Sequence, residues 1–103
     1  MHSHTPDNRR LMSLLRRVAR QDHAAFKQLY DLTSAHLYGV TMRFVHRRDV
    51  ADQILQDAYI HVWQHADSHA ATLSAPMTWL IGIARNKSQD RLSREQQRSA
   101  RAA

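Results

Sequence analysis

Apolar residues in this chain return every three or four positions, and little interrupts them. Leu11, Leu14, Leu15 and Val18 stand at i, i+3, i+4 and i+7, a spacing that lines one face of a helix and cannot line one face of a strand. Ala25, Phe26, Leu29, Leu32, Leu37, Val40 and Phe44 keep the rhythm. Val50, Ala51, Ile54, Leu55, Ala58 and Val62 follow, then Trp79, Leu80, Ile83 and Ala84. The punctuation of a β-fold is missing, because 103 residues hold only two glycines and two prolines. Hairpin turns depend on those residues. The chain is therefore expected to be all-α, a compact four-helix domain.

Capping chemistry places the boundaries. Pro6, Asp7 and Asn8 precede a first helix over 8–20. Asp22 can cap a second, over 22–45, with a disturbance near Gly39. A polar break, "HRRD", leads to Asp49 and a third helix over 49–66. The Ser, Thr and Pro content of "DSHAATLSAP" marks 67–76 as a loop. Pro76 suits the first turn of a fourth helix, over 76–96. One domain thus fills 8–96, with 1–7 flexible and 97–103 a frayed tail.

Several classes of function find no support. There is no cysteine, hence no disulfide or thiolate chemistry. No apolar run approaches the roughly 20 residues that span a bilayer, and "MHSHTPDNRR" lacks the apolar core of a secretory signal. A cytoplasmic protein without a membrane partner is expected. No Gly-rich phosphate loop, nucleophile elbow or HExxH is present, so neither enzyme activity nor a cofactor is expected. Among eight histidines, His61, His65 and His69 are spaced i, i+4, i+8. A structural zinc site wants four ligands with a defined second shell. Nothing nearby completes the set, and no metal site is expected.

Charge divides the chain more sharply than composition does. Residues 1–20 carry five arginines against one aspartate, and residues 85–103 carry six cations against two acids. The middle, 21–84, is slightly acidic. Two basic ends around an acidic centre suit a polyanion held at specific places. They also suit arginines that merely keep a small protein soluble. The fourth segment, "TWLIGIARNKSQDRLSR", is the most pointed case. Its apolar stripe over Trp79, Leu80, Ile83 and Ala84 runs at 3.6 residues per turn into Lys87, Asp90, Arg91 and Arg94. The third segment carries a second face of Gln53, Gln56, Asp57, Ile60 and Gln64, an isoleucine set among amides and a carboxylate.

"ADQILQDAYIHVW" (51–63) followed by "TWLIGIARNKSQDRL" (78–92) resembles region 2 of the extracytoplasmic-function (ECF) sigma factors of the sigma-70 family. That family writes an acidic "AEDLVQEVFLRVW" helix, a variable loop, then "WLYRIARNRARDRLR". Upstream, "DHAAFKQLYDLTSAHLYGVTMRFV" is similar to the family's helix before that pair. The likeness covers about residues 11–95.

The resemblance implies a domain of sigma-factor region 2 type that binds core RNA polymerase and recognises and melts the promoter −10 element. It implies that Asp52, Gln53, Gln56, Asp57 and Ile60 meet the clamp helices of the large polymerase subunit. Gln53 stands where the family usually has Asp, which replaces one charge-assisted contact by a neutral one. It further implies that Asn86, Lys87, Asp90, Arg91 and Arg94 face the −10 non-template strand, and that Ser68 and His69 belong to the loop holding a flipped base. The family often has Phe at or near His69, and a histidine can still stack on a base. Lysine and arginine attract phosphate regardless of sequence, whereas Asn86 can pair with a base edge. Asp90 repels phosphate, and its expected role is an ion pair with Arg94 one turn on. An anti-sigma factor is a further implied partner. Family members continue into a helix-turn-helix domain that reads the −35 element. This chain stops before one, so it is expected to be a fragment without promoter-dependent transcription of its own. The alternative is a helical protein-interaction domain without sequence-specific DNA binding.

Overall fold

Asp7 opens the first helix: its side chain accepts a hydrogen bond from the Arg9 N–H at 3.1 Å, which satisfies one of the orphan donors of a helix start. In this computed structural model, which describes residues 7–69 and 75–102, four helices follow in order. They are α1 (Asn8–Ala19), α2 (His23–Val45), α3 (Arg48–His69) and α4 (Pro76–Ala102). There is no strand among the described residues. Each helix packs against the other three, α1 least against α4.

The turn between α1 and α2 is tight. The Gln21 N–H donates to the Val18 carbonyl at 2.8 Å and the Asp22 N–H to that of Arg17 at 3.1 Å, a Schellman closure. Gln21 takes the left-handed conformation (φ 66°) that glycine usually fills there. Asp22 then caps α2 by accepting from the Ala25 N–H at 3.1 Å, and its other oxygen meets Arg17 Nε at 3.0 Å. The Ala25 N–H, and after it the Arg17 guanidinium, hold the Asp22 carboxyl below its ordinary value. One side chain thus caps a helix and ties it to its neighbour. His46, also left-handed (φ 56°), closes α2 on the Met42 carbonyl.

The stripes of α1 and α3 are core as expected. Leu11, Leu14, Leu15 and Val18 are buried, as are Val50, Ala51, Ile54, Leu55, Ala58 and Val62. The stripe of α2 is different. Its buried residues are Ala25, Leu29, Thr33, Leu37 and Thr41, four apart throughout, while Leu32 is exposed and Phe26, Val40 and Phe44 are only half-buried. Two threonines can sit on that line because their hydroxyls bond their own helix, Thr33 to the Leu29 carbonyl at 2.7 Å and Thr41 to that of Leu37 at 2.9 Å. Ser88 does the same in α4, donating to the Ala84 carbonyl at 2.7 Å. Among the described residues no buried side-chain polar atom lacks a partner. Tyr59 meets Thr33 across α2 and α3, oxygen to oxygen at 2.6 Å, and burial pushes its phenol up to about 12.

Four expectations shift here. Trp79 is half-buried beside the core rather than within it, and Met77, Leu80, Ile83, Ala84 and Ser88 form the buried line of α4. Helix α3 runs on to His69, and α4 to Ala102 through residues 97–102. Gly39 does not disturb α2, which passes through it unbroken. Residues 1–6 and 70–74 lie outside the described residues.

Gly39 offers a direct test of that regular path. It is exposed, and a Cβ added there would meet nothing within 4 Å. Gly39→Ala is expected to stabilise the domain by about 0.5–1 kcal/mol, the helix penalty of glycine. A thermal melt checks this, and a lowered midpoint would show the face to be tighter than the structure has it.

Candidate nucleic-acid and partner interfaces

The buried line of α4 ends at Ser88, and cations take over its continuation. Lys87 and Arg91 are half-buried at the edge of the bundle, and Arg94 stands exposed one turn on. Arg98 and Arg101 extend the row, both exposed. The spacing from 87 to 101 is 4-3-4-3, which keeps all five on one side of a helix. Arg98 and Arg101 were not among the expected contact residues, although that spacing was present in the sequence. The longest extent of the molecule is 49 Å, and α4, with 27 residues at 1.5 Å each, accounts for about 40 Å of helix.

Not all of these cations are free. Arg91 donates through Nε to Glu95 at 3.1 Å and through NH1 to the Gln53 side-chain oxygen at 3.0 Å, which clips α4 to α3. The expected Asp90–Arg94 pair does not form. Arg91–Glu95 is the i, i+4 pair instead, and Asp90 and Arg94, both exposed, form no ion pair among the described residues. Asn86 is exposed, and its amide makes no hydrogen bond among the described residues. Ser68 and His69 stand on the last turn of α3 rather than in a loop, because the helix runs three residues into the stretch 67–76. The Ser68 hydroxyl lies 3.5 Å from Asp67, a long contact that leaves it largely available.

On α3 the expected partner face separates in two. Asp52, Gln56 and Ile60 line a shallow groove with Leu55 and Tyr59 and with Phe26 and Tyr30 of α2. Ile60, 53% exposed, and Tyr30, 45% exposed, are two of the most open apolar side chains in the domain. Gln53 turns instead to Arg91, and Asp57 is exposed away from the groove lining. Beneath the groove runs an aromatic chain across the two helices. His23 stacks on Trp63 with centroids 4.7 Å apart, Phe26 meets Trp63 and Tyr59 edge-on, and Tyr30 tilts against Tyr59 at 4.8 Å. Sequence reading missed Phe26, Tyr30 and Trp63 here. Their spacing on α2 (23, 26, 30) and α3 (59, 63) was the available signal, but each is also an ordinary core type.

Of the three spaced histidines, the His69 side chain lies outside the described residues. His61 and His65 lie with ring centroids 4.2 Å apart, and no group of three possible ligands assembles among the described residues. No helix there is long and apolar enough to cross a membrane.

A four-helix domain whose last helix turns from core to cation, beside an open α2–α3 groove, has the architecture of a sigma-factor region 2 domain. Residues 29–98 match Sigma-70 region 2, and the chain belongs to that family. It is 36% identical over 88 residues to the ECF RNA polymerase sigma factor SigK of Mycobacterium sp. (strain KMS), covering 85% of this chain and 46% of that protein. It is 34% identical over 91 residues to SigK of Mycobacterium ulcerans (strain Agy99), covering 88% and 49%. The protein of the same description in Mycobacterium tuberculosis (strain ATCC 25177 / H37Ra) is 35% identical over 86 residues, covering 84% and 46%. The chain spans about half the length of the curated relatives it matches. No solved structure gives a significant match.

Proposed function

We propose that this chain is the part of an ECF sigma factor that docks on core RNA polymerase and recognises and melts the promoter −10 element. The observation that carries the reading is the change of face along α4. Through Leu80, Ile83, Ala84 and Ser88 the helix is anchored, and from Lys87 onward the same side is basic and leaves the bundle. A helix held at one end and charged at the other presents cations at a fixed register to a phosphate backbone. Asn86, exposed and unbonded at the junction, is the group able to pair with a base edge of the non-template strand. Lys87 and Arg94 meet phosphate. Arg91 has a second duty, because its bonds to Gln53 and Glu95 hold α4 in place. Ser68 and His69, at the end of α3, lead into the segment that holds the flipped base. Opening a base step costs a few kcal/mol, which stacking and edge contacts in such a pocket recover.

The α2–α3 groove is the polymerase surface in this reading. Its apolar floor of Phe26, Tyr30 and Ile60 gives buried area, and Asp52 and Gln56 on its rim accept hydrogen bonds from a basic partner helix. The assignment of the clamp helices as that partner comes from the family.

Binding to single-stranded −10 oligonucleotides tests the reading through two variants. Asn86→Ala is expected to flatten the preference among sequences by about 1–3 kcal/mol at one position. Lys87→Ala is expected to weaken all sequences alike and to lower the salt slope by about 0.7. Equal losses on matched and scrambled oligonucleotides in Asn86→Ala would leave a basic helix that reads nothing. That outcome would favour the protein-interaction alternative.

A further inference from the structure

We propose that α1 carries a second DNA surface, on which Arg9, Arg16 and Arg20 hold the phosphate backbone of double-stranded DNA without reading its sequence. This rests on the DNA-binding reading above, and it extends that reading to a helix that lies before the matched residues 29–98. The apolar side of α1 is fully used, since Leu11, Leu14, Leu15 and Val18 are no more than 3% exposed. Directly opposite stand Arg9, Ser13 and Arg16, with Arg20 at the C-cap just past the last turn, all exposed. The three arginines fall seven and four residues apart, which keeps them in line over about 16 Å of helix.

Among the described residues these three form no ion pair, and neither does the exposed Arg10 on the flank of the row. Arg17 differs from them, because its Nε is engaged by Asp22, which also caps α2. Asp7 accepts from the Arg9 backbone N–H and makes no ion pair with any arginine of the helix. No acid lies within α1 itself. Holding three like charges in a row without an acid among them costs self-repulsion, and a polyanion relieves it.

The kind of polyanion follows from the geometry. An anionic bilayer would take a basic helix by its apolar side as well, but that side is already core. Duplex DNA presents a charge every 1.7 Å or so along its axis, so a rigid row of guanidinium forks finds phosphates along its length. A folded acidic protein offers carboxylates only at isolated places.

The test measures affinity of the whole chain for a random-sequence duplex across a salt series. The double variant Arg16→Gln, Arg20→Gln is compared with Arg43→Gln, Arg48→Gln, which removes the same net charge from exposed positions elsewhere. The α1 pair is expected to reduce the slope of log affinity against log salt by about 1.8, at 0.9 per lost contact. The control pair is expected to leave it near wild type. An unchanged slope in the α1 pair overturns the proposal, and so does an equal fall in the control, which would mean net charge alone. Stronger binding of wild type to phosphatidylserine vesicles than to duplex overturns it as well. The base preference at Asn86 is read on single strands, so failure of the −10 reading shows there and leaves the duplex slope to decide this proposal.

Discussion

Leu80→Ala is expected to destabilise the domain by about 2–5 kcal/mol, the range for emptying a fully buried leucine site. Leu80 has no exposed surface and sits where the anchored half of α4 enters the core. Stabilities of small domains are about 5–15 kcal/mol, so this one change removes a large share. Trp79→Ala, one residue earlier, is expected to cost less despite the larger side chain, because the indole is half-exposed beside the core. Chemical denaturation of both variants checks the order. A Trp79 variant less stable than the Leu80 variant would mean that α4 is rotated from the orientation seen here.

In a pull-down with core RNA polymerase, Ile60→Asp is expected to weaken capture by 30-fold or more. That corresponds to the roughly 2 kcal/mol that defines an interface hot spot. Ile60 is the most exposed large apolar side chain of the described residues and lies in the groove with Phe26 and Tyr30. A carboxylate there would be buried against an apolar floor. Asp57→Arg is expected to have the smaller effect, because Asp57 does not line the groove. The fold should survive both, since each position is exposed. A larger loss from Asp57→Arg would move the polymerase surface to the α4 side of α3, next to Gln53.

The architecture was legible because apolar spacing alone fixes which side of a helix is core. The α1 and α3 stripes needed no correction. The α2 stripe did, for a physical reason. Thr33 and Thr41 read as polar, yet each hydroxyl closes on a carbonyl four residues back in its own helix. Phe26 and Leu32 read as core, yet they flank the buried line of Ala25, Leu29, Thr33, Leu37 and Thr41. The family motif brought Asp52, Gln56 and Ile60 to notice as one set with Gln53 and Asp57. It could not show that Gln53 is engaged by Arg91, because that bond joins residues 38 apart in sequence and depends on how α3 and α4 are set. The aromatic side of the groove was hidden for the same reason, since Phe26 and Tyr30 acquire meaning only beside α3.

The buried hydroxyls have a mechanical consequence. Thr33, Thr41 and Ser88 each bond within their own helix, and the side-chain hydrogen bonds that join helix bodies include Thr33 with Tyr59 and Arg91 with Gln53. The buried part of the seams is made largely of apolar side chains. Away from those bonds, helices joined in this way can slide by a fraction of a side chain without stranding a donor or acceptor. Shear along the seams is therefore cheap, while bending any one helix breaks its own ladder and is not. The domain behaves as four stiff rods with lubricated contacts, and adjustment to a partner is expected as small relative displacements of intact helices.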